Sequence, residues 1–376
     1  MISEIYDIAI VGAGIVGAAC ADECARQGLR VALIEADVIG GGATAEGMGH
    51  IVVMDDSEAQ FALTHYSQTL WRELAEELPA DSEYAASGTI WVAADDEELA
   101  EVKRKQVFYE ERGVKVEVLD PARLYEAEPH LRPDLVGGLL VPSDGVTYPP
   151  GAARFLVERA LSHGATLYLG RAAVKFLDRG VLLNDGSFIN AGLTVNAAGC
   201  WSPALTEGIH VQKRKGHLVI TDRAPGFVRH QLVELGYLKS AHSLTSDSVA
   251  FNVQPRITGQ VLIGSSRQYG VEERRVDPPI LRRMIERAVE YMPGLAQLSA
   301  IRTWTGFRAA TPDKLPLIGP LPDRGNLYLA TGHEGLGITT SLGTARLLAD
   351  QILGRSPAIP IEPYLPTRVY KEAAHA

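Results

Sequence analysis

The sequence predicts an α/β fold of the Rossmann type, on three observations. A short apolar run ends in closely spaced glycines near residue 12, an acid at Glu35 closes the next apolar run, and a later run meets a second glycine cluster near residue 332.

The first element is the strand-length apolar run Tyr6-Asp7-Ile8-Ala9-Ile10-Val11, which stops at Gly12-Ala13-Gly14-Ile15-Val16-Gly17. Beyond it, apolar residues at Val16, Ala19, Cys20 and Cys24 keep helical spacing until Gly28 supplies a stop. Arg30-Val31-Ala32-Leu33-Ile34-Glu35 then reads as a second strand. In such a unit Gly12 permits the tight turn, Gly14 lets backbone approach a pyrophosphate, and Gly17 allows close helix packing. The unpaired N–H groups and positive end of the helix favour the anion, and Glu35 is placed to accept hydrogen bonds from ribose hydroxyls. A carboxylate there disfavours a 2′-phosphate. The alternative, an accidental glycine loop, requires strand, glycines, helix, strand and acid to coincide by chance.

The loop Gly40-Gly41-Gly42-Ala43-Thr44-Ala45-Glu46-Gly47-Met48-Gly49-His50 follows. It reads either as a flexible connector or as backbone laid along the pyrophosphate and ribityl chain of FAD. Near the other end, Asn326-Leu327-Tyr328-Leu329-Ala330 is strand-like and enters Thr331-Gly332-His333-Glu334-Gly335-Leu336-Gly337, with a helix expected from Ile338 to about Leu353. No nucleotide acid follows, so this helix start is free to face the pyrimidine edge of a reduced flavin; a glycine-capped structural helix is the alternative. No second complete nucleotide fingerprint occurs elsewhere, which favours FAD over a nicotinamide cofactor, with electrons entering from the substrate.

Composition narrows the class further. The chain has 376 residues, 46% hydrophobic and 22% charged, as expected for a globular protein of about two domains. No apolar run approaches the roughly 18 residues a membrane helix needs. The start, Met1-Ile2-Ser3-Glu4-Ile5, lacks a basic leader region, so a cytoplasmic location is expected, with attachment to the inner face of a membrane as the variant. The net charge of -10 and the lack of a basic stripe argue against a nucleic-acid partner. Cys20, Cys24 and Cys200 are too few for a disulfide framework or a metal cluster and read as small buried residues, so no metal is expected.

With these segments in view, the chain resembles the D-amino-acid-oxidase-like family of FAD-dependent oxidoreductases, which includes glycine and sarcosine oxidases. The resemblance also rests on Thr194-Val195-Asn196-Ala197-Ala198-Gly199-Cys200-Trp201-Ser202 and on Gly306-Phe307-Arg308-Ala309-Ala310-Thr311-Pro312-Asp313-Lys314-Leu315-Pro316-Leu317-Ile318-Gly319. The segments Gly47-Met48-Gly49-His50 and Gly332 to Thr340 look most like D-hydroxyproline dehydrogenases, the beta subunits of opine and proline dehydrogenases, and the hydrogen cyanide synthase subunit.

The resemblance implies a Rossmann-like FAD-binding domain of residues 1–85, 146–210 and 302–365. It implies a discontinuous α+β substrate domain, on a mixed or antiparallel sheet, of residues 86–145 and 211–301, with 366–376 as a tail. The sequence supports this through strand-like Gly88 to Ala93 and Gln260 to Gly264 and an amphipathic helix from Pro278 to Tyr291. Residues 357–366 read as a closing segment against the body or a linker end.

FAD contacts are expected at Gly12, Gly14, Gly17, Glu35, Gly42, Ala43, Thr44, Val174, Ala198, Gly199, Trp201 and Gly306, and along Gly332, Gly335, Leu336, Gly337, Ile338 and Thr339. Val174 stands for the family's backbone contact to adenine. With no cysteine beyond Cys200, the FAD is expected to be non-covalent. Arg308 is the expected carboxylate anchor, since a guanidinium forks onto both oxygens; a structural ion pair is the other reading. His50 and His333 either line the site or pack, and Met48 is either cavity wall or core filling. Lys215-Gly216-His217 departs from the glycine-glutamine frequent in the family.

The reaction so implied is oxidation of the C–N bond of a small amino acid to an imine, with no residue marked as an essential base. The expected substrate is cis-4-hydroxy-D-proline or a close proline analogue; glycine or an opine is the alternative, in a chain acting as one subunit of a larger dehydrogenase. The external electron acceptor is a quinone, oxygen or partner subunits, and hetero- and homo-oligomers both remain open. A reading of another class is a non-catalytic FAD-binding subunit that serves assembly.

Overall fold

A computed structural model describes residues 5–236 and 247–368; the first four residues and most of the expected tail lie outside them. Two large sheets organise the chain.

The first sheet has the order Leu317–Leu321, Arg324–Thr331, Phe188–Asn196, Ile5–Val11, Val31–Glu35, Thr166–Leu169. From Arg324–Thr331 to Thr166–Leu169 every pairing is parallel. Strands buried on both faces must be apolar almost throughout, and Ile8, Ala9 and Ile10 accordingly have no exposure. On one face lie the helices Ile15–Arg26, Pro149–Ser162 and Gly337–Ile352, packed through Ala18, Ala21, Ala152, Leu156, Leu347 and Leu348. Small residues in the first helix allow these close approaches. The other face is covered by Phe176, Val181 and Leu183 from the antiparallel strands Ala173–Leu177 and Gly180–Leu183.

The second sheet runs Ala300–Ala310, Gln212–Arg223, Gln260–Arg267, Ser248–Pro255, Gln231–Glu234, Thr89–Ala93, Gly137–Val141, Glu117–Leu119. Its pairings are antiparallel apart from the parallel match of Gln231–Glu234 with Thr89–Ala93. The helix Pro278–Tyr291 packs on one face, where Phe251 and Tyr291 stack with ring centroids 4.5 Å apart. Asp277 caps that helix by accepting the Ile280 N–H, and prolines open its first turn where no donor is needed. The strand carrying Arg308 belongs to this second sheet along its length. The proline-rich closing segment packs against the body: Tyr364 is buried and its hydroxyl donates to the Ala59 carbonyl.

The mixed α/β fold with both kinds of sheet therefore agrees with the class read from the sequence. In the first sheet, successive crossovers leave Ile5–Val11 on opposite sides, to Val31–Glu35 on one edge and Phe188–Asn196 on the other. Ligands of open α/β sheets sit outside the carboxyl ends of strands at such a switch point.

Candidate active site

A cavity of about 700 Å³ opens at that switch point and runs from Glu35 to the inner face of the second sheet. Its nucleotide end is shaped by glycine. Gly12 has φ +106°, and a Cβ there would lie 2.6 Å from the Ala197 carbonyl oxygen. Gly17 sits beneath the turn rather than in the cavity wall, against the Gly12 carbonyl. Glu35 accepts the Ala13 N–H at 2.7 Å and the Asp37 N–H at 2.9 Å, so its carboxylate is held at the cavity edge. Thr44 Oγ1 accepts the Ile15 N–H at 3.0 Å and stands over Gly14, where a Cβ would lie 3.2 Å away.

Gly42, Ala43, Ala198, Gly199 and Trp201 line the adjoining wall. Gly42 has φ +57° and faces the Trp201 ring, which leaves little room for any side chain there. Val174 does not join them. Its side chain is 52% exposed, and Arg171, Ala172 and Ala173 line the cavity in its place.

The second glycine cluster closes the middle of the cavity with Gly332, His333, Gly335, Leu336, Gly337 and Ile338, ahead of the helix Gly337–Ile352. The Glu334 N–H donates to the Ala309 carbonyl at 2.8 Å, which ties this loop to the strand bearing Arg308. Thr339 is buried behind the wall: its hydroxyl donates to the His50 carbonyl at 2.8 Å and so fixes the loop from Gly40 to His50. The extended, glycine-walled channel with a helix start at each glycine cluster fits FAD, whose pyrophosphate and flavin are both electron-rich.

At the far end Arg308 projects from Ala300–Ala310, and its Nη1 donates to the Ser266 carbonyl at 3.1 Å. Gly216 on the neighbouring strand makes room for it, since a Cβ there would stand 2.5 Å from Nη1. Burial, with Arg214 adding its like charge, pushes the Arg308 guanidinium down to about 9. Gly306 also lines this region, against Glu46.

Both readings of Met48 hold at once, because it lines the cavity while packing with Leu218 and Leu262. His50 and His333 line it too. Burial pushes His50 down to about 4 and His333 down to about 3, so both are neutral imidazoles at neutral pH. His333 is also tied into its own helix through Nε2 and Thr344 Oγ1, 2.9 Å apart.

Arg214, Arg267, His217, Gln231 and Asn252 line the same end and escaped sequence reading. Cross-strand register explains why: Arg214 stands opposite Arg308, a pairing that local pattern does not reveal. The unusual Lys215-Gly216-His217 was the available signal. His217 accepts the Asp277 N–H through Nε2 at 3.0 Å, which leaves Nδ1 to donate to Ser266 Oγ at 2.9 Å. Among the described residues no helix is long and apolar enough to cross a membrane, and no cluster of three or more histidine, cysteine or acidic side chains is arranged to hold a metal.

Comparison with known proteins agrees with this geometry. The chain is 30% identical to glycine oxidase of Geobacillus kaustophilus, over 96% of its own length and 97% of that protein. It is 28% identical to hydrogen cyanide synthase subunit HcnC of Pseudomonas aeruginosa, over 98% and 97%. The crystal structure of L-proline dehydrogenase from P. horikoshii superposes with a TM-score of 0.87 at 25% identity, covering 99% of each chain. The model of the family described as FAD dependent oxidoreductase (DAO) matches residues 7–351. Glycine-built cradle, second sheet and whole-length similarity lead to one conclusion: this chain belongs to the DAO family of FAD-dependent oxidoreductases.

Proposed function

We propose that the protein oxidises the C–N bond of a small amino acid to the imine. FAD, when bound, supplies the hydride acceptor. The observation that carries this reading is Arg308, a partly buried guanidinium on the sheet face of the cavity with a fork suited to a carboxylate. Arg308, Arg214 and Arg267 together disfavour an ammonium beside them, so they hold the substrate amine neutral without a dedicated base. The neutral imidazoles of His50 and His333 wall the amine from water. Met48 supplies apolar surface. Cys200 lines the cavity, but burial pushes its thiol up to about 11, which supports non-covalent cofactor binding.

Within this class the first candidate is cis-4-hydroxy-D-proline or a close proline analogue, for whose ring hydroxyl Gln231 and Asn252 are nearby hydrogen-bonding partners. Glycine or an opine is the alternative. The external electron acceptor would be a quinone, oxygen or partner subunits, and the protein cytoplasmic. The FAD-contact set extends from Gly12 to Thr339 as read from the sequence, with Val174 contributing backbone alone. The division into an FAD domain and a discontinuous substrate domain is retained, residues 302–310 serving the second sheet.

An anaerobic screen of amino acids for bleaching of the bound flavin tests the reaction, with the product identified afterwards. Bleaching by an amino acid with imine formation is expected. Bleaching by a 2-hydroxy acid alone sinks the reading, and no bleaching by any donor favours the assembly subunit.

A further inference from the structure

Residues 268–277 join the strand Gln260–Arg267 to the helix Pro278–Tyr291 with no helix or ladder of their own, yet they are fastened along their length. Lys215 and Gln268 exchange main-chain hydrogen bonds of 3.1 and 3.0 Å. The buried Lys215 ammonium donates to the Arg275 carbonyl at 2.6 Å, and the Thr305 hydroxyl donates to the Arg274 carbonyl. His217 accepts the Asp277 N–H at the far end. The unusual Lys215-Gly216-His217 is thus the seat of this segment. So held, Arg274 reaches the cofactor cradle: its Nη1 meets Glu46 Oε1 at 2.8 Å, and its guanidinium stands 5.8 Å from the centre of the Trp201 ring. All three residues line the cavity. Glu46 ends the short helix Ala43–Glu46 in the loop from Gly40 to His50, and Trp201 faces Gly42 of that loop. Half-exposed and cavity-lining at once, Arg274 stands at the mouth of the channel. An exposed ion pair contributes little when two free side chains must be ordered to make it. Here the anchored backbone has ordered Arg274 beforehand. Burial pushes the Glu46 carboxyl up and the Arg274 charge opposes that shift, as a carboxylate beside a pyrophosphate channel requires.

We propose that residues 268–277 form a strap across the cofactor channel, with Arg274 as the clasp that must leave Glu46 and Trp201 before FAD enters or departs. The Arg274 charge is engaged by Glu46, so the clasp bars the channel rather than binding a phosphate. A bar raises the barrier in both directions and leaves the equilibrium alone, whereas a direct ligand slows release and tightens binding together. Lys215, His217 and Thr305 all belong to the second sheet, so cofactor retention is tied to the sheet that also carries Arg308. The strap acts alike whichever donor is oxidised.

Dilution of the holoenzyme, followed by flavin fluorescence, gives the rate of FAD release and, over a dilution series at equilibrium, the Kd. Arg274→Ala is expected to speed release by about tenfold or more while Kd moves by less than about threefold. Glu46→Gln should speed release to a similar degree, and the double variant should go no further, since both changes remove one contact. Arg275→Ala removes a neighbouring charge but keeps the carbonyl that Lys215 holds, and should release FAD at the wild-type rate. Raising the salt to about 0.5 M should speed release from the wild type but not from Arg274→Ala. An unchanged release rate in Arg274→Ala overturns the strap. A Kd that rises in step with the rate makes Arg274 a direct cofactor ligand and overturns it too, as does equal acceleration by Arg275→Ala. If the variants fail to fold, the wild-type protein still decides, because a release rate indifferent to salt overturns the clasp.

Discussion

Gly17 lies so close beneath Gly12 that a Cβ on Gly17 would stand 1.9 Å from the Gly12 carbonyl oxygen. Such a contact cannot be met by rotating a side chain, because the obstacle is backbone. Gly17→Ala is therefore expected to push the fingerprint helix away from its turn, at a cost of about 2 kcal/mol or more. Thermal unfolding and the flavin absorbance of purified protein check it, both of which should fall. Gly28→Ala meets no neighbouring atom within 4 Å and has φ +86°, so it should lose stability without a specific loss of FAD.

Arg308→Lys keeps a positive charge in the cavity but loses the planar fork. The apparent Kd for a substrate carboxylate should rise by about tenfold while FAD stays bound. Anaerobic titration of the flavin spectrum measures both. Unchanged affinity would remove Arg308 from substrate binding.

The buried histidines give stability a defined acid limb. His50 moves from an ordinary value of 6.5 to about 4 in the folded chain, so the unfolded chain takes up its proton first as the pH falls. This contribution is complete above pH 6.5 and is lost as pH drops through 6.5 toward 4. The expected loss from His50 is about 2 kcal/mol by about pH 5. His333 and His217 act in the same direction. Denaturant unfolding at a series of pH values checks this, and His50→Gln should flatten part of the limb.

Asp144 works at the opposite end. It accepts hydrogen bonds from the Val53 N–H at 3.1 Å and Gln68 Nε2 at 2.8 Å, yet burial pushes its carboxyl from 3.8 up to about 7. A raised carboxyl contributes stability in full below pH 3.8 and loses it as pH rises through 7. Asp144→Asn, which keeps an acceptor oxygen, should remove this dependence and leave the variant relatively more stable at about pH 8 than at about pH 5. Unfolding midpoints of the two proteins at those values provide the comparison.

The nucleotide end was readable in the sequence because its signals are local. Gly12, Gly14, Gly17 and Glu35 lie in one strand–helix–strand run, and the helix start at Gly337 and its glycine loop are equally contiguous. At the substrate end Arg308 was readable through resemblance, and Met48, His50 and His333 through the glycine loops that hold them. Arg214 and Arg267 reach that end from separate strands, and the register that aligns them is set by pairing across the sheet. Val174 is absent from the wall because it falls at a register shift, between Ala173 paired with Leu183 and Lys175 paired with Leu182, a bulge that local pattern does not reveal, while Ala173 lines the channel. Thr339 gave no sign of its tie to the His50 carbonyl, a bond between residues far apart in the chain.

That bond has a consequence for the order of events during synthesis. The fingerprint turn emerges early, but Ile5–Val11 waits for Phe188–Asn196 to cover its flank, and the loop ending at His50 waits for Thr339. A ribosome-bound chain thus holds a nearly finished nucleotide turn whose flavin end is still open. Tight cofactor capture becomes a late event, coupled to docking of the last long helix, and a nascent chain stalled before that helix should leave the ribosome colourless.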